Sequence, residues 1–594
     1  MRPHLTPGSR LTALLLALMT SAGNLAAGPL SVSELNYSDP EGGDYDFIEL
    51  VNAGAASLSL TGVRFTVGVT YTFTTTVPLN AGERIVVVRD RTKFQARYGT
   101  AGIRLAEGTF SGGFSANGEL VTVVDPAGAP LIDFTYGVDG RWPSRPNGLG
   151  STLECIDPLQ DLNDPDHWRP SSEWLGSPGR AGAGPQRRVA INEILAHTDP
   201  PYEDAVELLN LTDESIRLDG WYLSNGRADP TKYIIPRETV LAPRGRKVFY
   251  EYQFDPNAPP TGQTAFRFNS ANGDEAVLMS ADASGRPLFW MDVVSFGATA
   301  NGVSLGRYPE GTGPLTTQWR QTFGTDLSPT LPPDYLAEFR TGAGAPNAGP
   351  LVGPLVFSRI QYQPKAGEDE YLELQNKASV TVPLYDPEYP ANTWRIRDGV
   401  DFDFPPGVNL DPSARLLVVG IDPAVFRTKY AVAASIPVFG PWTNVLANSG
   451  ERIALFKPDP PQLPPHPDAG FVPYILVEEI DYSPLPPWPT EAAGLGPALR
   501  RRDITQFGND PANWEADAVV PPVTPEVSLL QGSTSLQLSF TAQAGRTYRL
   551  QAAETRDAAV WTELGVIPVP PAGGLVTVAI TPTGNSRLLR VTAE

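Results

Sequence analysis

The chain has 594 residues, among them 61 prolines and 56 glycines, and its formal net charge at neutral pH is −21. This length predicts several domains, and the many turn-forming residues favour short strands joined by turns over helical bundles. The negative charge argues against general nucleic-acid binding, and the single cysteine, Cys155, excludes an intrachain disulfide and reads as a buried, small apolar residue.

Residues 1–27 have the pattern of a secretory signal peptide. Arg2 and Arg10 precede the short apolar run LTALLLALM at 11–19, and TSAGNLAA at 20–27 offers small residues for cleavage. The run is shorter than the ~20 residues needed to span a bilayer. We therefore expect an exported chain, secreted or at the cell surface, whose mature form has no transmembrane segment.

Three later stretches share one pattern, in which an acidic start is followed by an apolar residue, Glu, Leu, any residue and Asn. They are DYDFIELVN at 44–52, YEDAVELLN at 202–210 and EDEYLELQN at 368–376. The shared positions are Glu49, Glu207 and Glu373, and Asn52, Asn210 and Asn376. Apolar residues alternate with the glutamate, which predicts a strand with one buried and one exposed face.

Further elements recur in the same order around each stretch. A β-rich run precedes it, at LSVSELNY (30–37), RVAINEILA (188–196) and LVFSRIQY (355–362). A turn, a basic residue and a hydrophobic strand follow, and then an Asn-Gly or Ser-Gly turn that tolerates positive φ. Phe94 and Tyr98, like Phe426 and Tyr430, lie four residues apart, which suits one or two helical turns. A tryptophan closes each repeat, in DPDHW (164–168), TTQW (316–319) and DPANW (510–514).

These residues resemble the lamin-tail domain in its secreted bacterial form. The resemblance rests on the opening Asn-Glu strand, the D-x-apolar-Glu-Leu-x-Asn strand, D-G-W, the N-G-E turn, the W-P…G-x-G-x-x-L segment at 142–153 and the closing Trp element. The third repeat departs from it, because Arg359 replaces the opening glutamate and D-G-W is absent. The family implies an immunoglobulin-like β-sandwich, and the composition and period-two patterning independently favour all-β sandwiches.

We therefore predict an all-β protein of tandem immunoglobulin-like sandwiches with a small C-terminal β-module. The predicted segments are the signal peptide 1–27, lamin-tail-like domains at 28–186, 187–350 and 351–519, and a module of about five strands at 526–594. The three domains are called repeats one, two and three below.

Residues suited to nucleophilic catalysis are scarce. His167, His197 and His466 lie in three different repeats, so no histidine-centred triad is predicted. GVSLG at 302–306 matches G-x-S-x-G, but no helical run follows, and Ser304 aligns with Thr152 and Ala498. We therefore expect no catalytic residue and no cofactor.

Paired carboxylates are the main chemical alternative. Glu34 with Glu49, and Glu193 with Glu207, are placed to be neighbours on adjacent strands, where carboxylates perform acid–base chemistry or bind a hard cation. Repeat three has Arg359 opposite Glu373, which suits a cross-strand surface pair. The structural interpretation is favoured, and a hydrolase acting through repeats one and two remains the alternative.

The acidic turns carry possible metal ligands. The turns are DPEGGDYD (39–46), DPPYED (199–204) and KAGEDE (365–370), and the candidate ligands in the first are Asp39, Asp44 and Asp46. Their spacing does not match the D-x-D-x-D-G calcium loop, so solvated turns are favoured over a cation site.

The favoured function is non-enzymatic: a cell-surface or extracellular scaffold, adhesion or binding protein whose partner is an extracellular or cell-surface protein or a polysaccharide. A carbohydrate-binding or Ca²⁺-binding surface protein is an alternative, and the former predicts an exposed planar aromatic platform. The tryptophans of RWPS (141–144) and PWPT (487–490) are expected at buried corners rather than at contact points.

Overall fold

The structure is a computed structural model, and it describes residues 28–198, 202–324, 335–464 and 468–517. In the C-terminal part it describes 528–531, 536–542, 548–553, 562–568, 574–580 and 588–593. The predicted signal peptide and His466 lie outside the described residues. Nearly all regular structure in these ranges is β-strand, so the prediction of an all-β protein is confirmed.

Helices are few and short in the described ranges. The α-helices are Arg91–Tyr98, Glu251–Phe254, Tyr335–Phe339 and Pro423–Lys429, and the 3₁₀ turns are Gly43–Tyr45, Pro165–His167, Thr490–Ala492 and Pro511–Asn513. None of the helices in these ranges has the length and apolar character needed to cross a bilayer. The first and last α-helices carry the two predicted aromatic pairs, whose ring centroids are 4.6 Å apart for Phe94–Tyr98 and 4.5 Å apart for Phe426–Tyr430.

Each repeat contains a first sheet with the same strand order: closing strand, short leucine strand, opening strand, glutamate strand and basic strand. In repeat one these are Trp168–Pro170, Leu153–Cys155, Leu30–Asn36, Phe47–Asn52 and Arg84–Val88. In repeat two they are Leu315–Thr317, Leu305–Arg307, Val189–Leu195, Ala205–Asn210 and Arg246–Tyr250. In repeat three they are Trp514–Ala516, Leu499–Arg501, Leu355–Gln361, Tyr371–Asn376 and Arg415–Val419, with Val438–Phe439 added in parallel.

A second sheet lies opposite the first in each repeat. In repeat one it is Pro130–Tyr136, Glu119–Val124, Arg64–Val67, Val69–Thr72 and Ser111–Gly112. In repeat two it is Tyr233–Ile234, Tyr222–Ser224, Asp274–Ala281 and Pro287–Phe296, and in repeat three Phe402–Asp403, Arg395–Asp398, Glu451–Pro458 and Tyr474–Tyr482. Two-stranded pairs flank these sheets at Leu58–Ser59 with Pro78–Leu79, Ile216–Arg217 with Val240–Leu241, and Val382–Pro383 with Asn409–Leu410. The apolar core of each repeat fills the space between its two sheets.

The glutamate strands are buried on both faces, so the expectation of one exposed face is wrong. All six residues of Phe47–Asn52 and of Ala205–Asn210 are buried. On the outer face of repeat one, Phe94 of the first helix packs against Phe47 with ring centroids 5.7 Å apart. Helical residues Phe339 and Phe426 pack on the outer faces of repeats two and three. A third layer therefore covers each first sheet.

The Asn-Gly and Ser-Gly turns have the predicted conformation. Gly118, Gly273 and Gly450 have φ of 81°, 80° and 92°. A Cβ at Gly118 would lie 2.6 Å from the carbonyl oxygen of Tyr136, and the other two glycines approach a backbone oxygen as closely. Glycine is therefore required both by the backbone angle and by the approach of the next strand.

The closing tryptophans are equivalent in two repeats only. Trp168 and Trp514 are buried, and each donates its indole N–H to a backbone oxygen six residues earlier. In repeat two the strand register puts Leu315 at this position, while Trp319 is 57% exposed. The expectation that Trp319 closes repeat two as Trp168 and Trp514 close the other repeats is therefore wrong, because Trp319 lies four residues beyond the shared position.

The Trp-Pro loops are buried corners, as expected. Trp488 is 6% exposed and packs on Trp514, with ring centroids 6.0 Å apart, and Trp142 is half-buried beside Trp168.

The C-terminal part forms two three-stranded sheets, one strand more than expected. The first has Ser528–Gln531, Leu536–Ala542 and Gly574–Ile580, and the second has Thr562–Ile567, Tyr548–Ala553 and Leu588–Ala593. Leu538, Tyr548 and Val591 lie in its small core.

Repeats one and two are joined by backbone pairing. The amide of Trp174 donates to Leu288 O and the amide of Trp290 donates to Ser172 O, both at 2.8 Å. The two indole rings lie 5.6 Å apart. The end of repeat one therefore adds a short strand to the edge of the second sheet of repeat two.

Candidate functional site

The candidate site is the set of glutamates at the centre of each first sheet. Glu34 is the direct cross-strand neighbour of Glu49, Glu193 of Glu207, and Arg359 of Glu373, as predicted. In repeat one Glu154 extends the row on the other side of Glu34. The expectation of a surface pair is wrong, because Glu49 and Glu207 are 0% exposed and Glu373 is 6% exposed.

A β-bulge beside the row supplies each signature glutamate with a hydrogen-bond donor. The opening strand bulges at Ser33, Asn192 and Ser358, where the register shifts by one residue. Their side chains donate to Oε1 of Glu49, Glu207 and Glu373 at 2.6, 2.7 and 2.7 Å. The bulge turns a side chain towards the glutamate, and the same contact recurs three times.

An arginine of the basic strand faces each signature glutamate. Arg84 Nε lies 3.1 Å from Glu49 Oε1, Arg246 Nε lies 3.5 Å from Glu207 Oε1, and Arg415 Nη1 lies 3.9 Å from Glu373 Oε1. In repeat three Arg359 adds a two-pronged pair to Glu373 at 2.8 and 2.9 Å and also binds Asp517. The third row is therefore neutralised by arginine, whereas the first two are rich in acid.

Irregular backbone lies over the first two rows, and the glutamates accept its amides. In repeat one, residues 175–184 form this covering segment, in which Ser177 N donates to Glu34 at 2.7 Å and Gly179 N to Glu49 at 2.5 Å. In repeat two, residues 320–324 form it, and Thr322 donates to Glu193 through its amide at 3.0 Å and its hydroxyl at 2.6 Å. Backbone that pairs with no strand still needs hydrogen-bond partners, and these carboxylates provide them.

Burial raises the pKa of these carboxyls. Desolvation raises the pKa of Glu49 and of Glu193 to about 7 and that of Glu207 to about 8. The pKa of Glu34 is raised well above its usual value, first by burial and then by the charge of Glu49. Hydrogen bonds to the carboxylates oppose the shift in every case, so the desolvation cost exceeds them.

The contacts of the glutamate rows suit a structural role, in which the carboxylates hold the covering backbone in place, better than acid–base catalysis. A catalytic carboxyl must reach its substrate within hydrogen-bond distance, but the covering segments occupy the space above Glu34, Glu49 and Glu193. A groove of 950 Å³ on repeat two and clefts of 380 and 520 Å³ at the repeat boundaries are lined by other residues.

The signature asparagines lock the turn that follows each glutamate strand. Asn52, Asn210 and Asn376 are 0% exposed, and each donates to two backbone oxygens through Nδ2 and accepts an amide two residues on through Oδ1. For Asn376 the three partners lie 2.8–2.9 Å away. Each asparagine therefore fixes the backbone where the chain turns after the glutamate strand.

The remaining residues singled out in the sequence lie apart from one another. Ser304 is fully buried and donates to Glu193 at 2.5 Å, as Thr152 does to Glu34, so the strand register supports their alignment. The rings of His167 and His197, which are both half-buried, bond Asp161 O and Thr299 O respectively. Burial raises the pKa of the half-buried Cys155 thiol to about 12.

Each of the three candidate metal ligands faces a basic side chain. Asp39 pairs with Arg97 at 2.5 Å, Asp44 with Lys93 at 2.6 Å, and buried Asp46 lies 3.9 Å from Arg89. Burial raises the pKa of Asp46 to about 7, against the effect of Arg89. Within the described ranges, no group of three or more His, Cys, Asp or Glu side chains is arranged to hold a metal ion.

Sequence reasoning missed the bulge donors, the basic-strand arginines as partners of the glutamates, and Glu154. The three bulge residues are small and polar and stand one place before the aligned Glu34, Glu193 and Arg359. The alignment of the three stretches therefore contained a signal for the bulge residues. It contained none for Glu154, because its short strand pairs with residues 118 or more positions earlier.

Comparisons with known proteins give one family and one solved structure. A family model described as Lamin Tail Domain matches residues 183–297, which span the linker and most of repeat two. A crystal structure of a DUF4876 family protein from Bacteroides thetaiotaomicron aligns at 10% identity over 52% of this chain and 94% of that chain. Its TM-score is 0.19, so it carries no argument about fold or function. No curated protein matches the chain.

Proposed function

We propose that this chain is a non-enzymatic, exported protein of three tandem lamin-tail-like sandwiches with a small C-terminal β-module. It acts at the cell surface or outside the cell as a scaffold, adhesion or binding protein for a protein or polysaccharide partner. The family match to residues 183–297 supports the assignment for repeat two. The shared strand order and the recurring bulge, Glu, Arg and Asn contacts support its extension to repeats one and three.

The observation that carries the non-enzymatic assignment is the covering of the carboxylate rows. Glu34, Glu49 and Glu193 are buried and bonded to backbone amides, Glu207 is buried against Asn192, and Glu373 is paired with arginine. The hydrolase alternative requires substrate to displace residues 175–184 and 320–324. The apolar-leader pattern at 1–27 and the net charge of −21 support export and argue against a nucleic-acid partner.

The test measures where the chain is located and what it binds, and it repeats the binding measurement with variants in which the signature glutamates are replaced by glutamine. The full chain, expressed in its host, is expected in the envelope or medium fraction, shortened by about 27 residues' worth of leader. Purified mature protein is then tested for sedimentation with isolated envelope and with extracellular polysaccharide, with and without a chelator. Glu49→Gln and Glu207→Gln should leave any binding unchanged. Retention in the cytoplasm, or hydrolysis of the polymer that these variants abolish, would overturn the proposal.

A further inference from the structure

The boundary between repeats one and two contains a pocket of about 380 Å³. Arg145, Arg169 and Ser172 from repeat one line one side, and residues 290–293, Arg307 and Thr312 from repeat two line the other. The linker residues 185–187 close it. Because the backbone pairing at Trp174 and Trp290 joins the two repeats here, the pocket has fixed walls on both sides.

The charge of this pocket is opposite to that of the chain. Its lining holds four arginines and one acid, Asp292, in a protein of net charge −21. Two arginines are neutralised, because Arg307 pairs with Asp292 at 2.8 Å and Arg169 with Glu154 at 2.9 Å. The positive charges of Arg145 and Arg187 are left without a carboxylate partner within the described residues.

Arg145 differs from the other three arginines of the pocket in its surroundings. It is half-buried, its guanidinium lies over the Trp290 ring at 5.0 Å, and it donates one bond, to Ser171 O at 3.1 Å. Its Nε is buried and bonds no group in the described part of the chain. Burial, followed by the charge of Arg227, lowers its pKa to about 10. Partial burial of a guanidinium that has no carboxylate partner is unfavourable, and an anion beside it would offset that cost.

Arg187 supplies a second free cation at the mouth of the pocket. It is exposed and, in the ranges that the structure describes, makes no ion pair. Guanidinium groups present several N–H donors in a plane, which matches carboxylate, sulfate and phosphate oxygens. A pocket of this size is at the lower end of small-ligand sites.

We propose that the pocket between repeats one and two binds an oxyanion, the carboxylate, sulfate or phosphate group of a ligand, through Arg145 and Arg187. The group would bond the Arg145 guanidinium, which lines the pocket, and the exposed Arg187 guanidinium, which lies at its mouth. An oxyanion in this place would also bridge the two sandwiches.

The experiment is isothermal titration of the purified full-length mature chain with sodium sulfate, sodium phosphate and sodium glucuronate. Each is compared with sodium chloride at equal ionic strength, and the anion that binds identifies the source of the group. Arg187→Gln is the main variant, because an exposed side chain can be replaced without disturbing the core. It should weaken binding by about tenfold or more, as expected for loss of a charge-assisted hydrogen bond. Arg145→Gln should remove binding, with its fold checked by circular dichroism.

Arg141→Gln is the matched control. Arg141 is also exposed and lies in the same repeat, but it pairs with Asp164 and Asp166 outside the pocket, so its loss should leave the affinity unchanged. The proposal is overturned if none of the three oxyanions binds at about 10 mM. It is equally overturned if Arg187→Gln binds like the unchanged protein or if Arg141→Gln loses as much affinity.

Discussion

Burying a glutamate carries a desolvation cost, so its recurrence at the centre of three sheets needs a physical reason. The covering segments carry amides, such as those of Ser177 and Gly179, that pair with no strand. An apolar residue in place of Glu49 would leave such an amide unbonded, at about 1–3 kcal/mol. In repeat one Glu49 therefore satisfies irregular backbone inside the protein. In repeats two and three the signature glutamates bond the bulge side chain and face an arginine instead, so these structural contacts account for them without any reaction.

The signature asparagine gives the first prediction. Replacing Asn376 by alanine removes three buried hydrogen bonds, to Val380 O, Leu410 O and Ala378 N. We expect repeat three to lose about 3 kcal/mol of unfolding free energy, since each bond contributes about 1 kcal/mol and the stranded groups add to the loss. Differential scanning calorimetry of the full chain should show one transition moving down, with the others unchanged.

Asn409→Ala is the control for this measurement. Asn409 lies in the same repeat, but it is exposed and makes a single side-chain bond, to Gly407 O at 3.2 Å. Its loss should cost less than about 0.5 kcal/mol, as is usual at the surface. Equal shifts for the two variants would contradict the locking role of Asn376.

At this scale the sequence predicted neighbours but not their environment. Aligning three copies put Glu34 beside Glu49, and the register agrees. Burial of the pair depends on residues 175–184, which follow Glu49 by more than 120 positions and have no strand pattern of their own. The alternation of apolar and polar residues along a strand shows which of its side chains share a face. It does not show whether a distant segment of the chain covers that face.

At the scale of the element, the Asn-Gly turn gives the second prediction. Gly118→Ala places a methyl group 2.6 Å from Tyr136 O at a φ of 81°, so it combines backbone strain with a collision against the next strand. We expect a loss of about 3 kcal/mol in repeat one, measured by calorimetry or denaturant unfolding.

Gly82→Ala separates the two causes. Gly82 lies in the same repeat with a similar φ of 76°, but a Cβ there has no atom within 4 Å. This variant should lose only the backbone term of about 1 kcal/mol. If both variants lose the same amount, close approach of the second sheet contributes nothing to the glycine requirement.

Short elements were the hardest to align from sequence. The closing strands contain three residues each, and the tryptophan seemed their best marker. In repeat two Leu315 fills the shared position, and Trp319 instead donates its indole N–H to Ala348 O at 2.6 Å, where the chain leaves the repeat. A three-residue strand has too little pattern to fix its own register, so one displaced aromatic residue shifted the alignment by four positions.

At the scale of the whole molecule, the repeats are joined unequally. Repeat one pairs its backbone with repeat two and places the Trp174 ring beside the Trp290 ring in a tilted arrangement. Between repeats two and three the described contacts include an edge-on pair of Tyr308 and Phe507 and a bond from Asn272 to Asp468. The sequence predicts the modules, because each is written in its own stretch of chain. It does not predict the junction of repeats one and two, because the backbone hydrogen bonds there carry no sequence signal.

The buried acids make the stability of the whole chain depend on pH, which is the third prediction. Burial raises the folded-state pKa to about 7 for Glu49, Glu193, Asp46 and Asp204 and to about 8 for Glu207. The unfolded values are near 4, so between pH 4 and 8 the folded chain binds more protons than the unfolded chain. Stability therefore falls as pH rises through this window, by about 1.4 kcal/mol per unit of pKa shift for each group. The midpoint of thermal unfolding should be highest near pH 5 and lower at pH 8.

Replacing buried acids by their amides isolates this cause from general charge repulsion. In Glu49→Gln the amide oxygen can accept Gly179 N while the amide NH₂ donates to the Ser33 hydroxyl, so these two hydrogen bonds survive without a titrating proton, whereas the ion pair with Arg84 is lost. The double variant with Glu207→Gln should lose part of the decline between pH 5 and 8. Glu107→Gln removes a charge from an exposed position and should leave the slope nearly unchanged. A midpoint that rises steadily from pH 5 to 8 in the unchanged protein would mean that the rows are ionised and fully compensated by their arginines and amides. In that case the ion pairs and hydrogen bonds of the buried carboxylates would outweigh their desolvation, and the charged form would stabilise the fold.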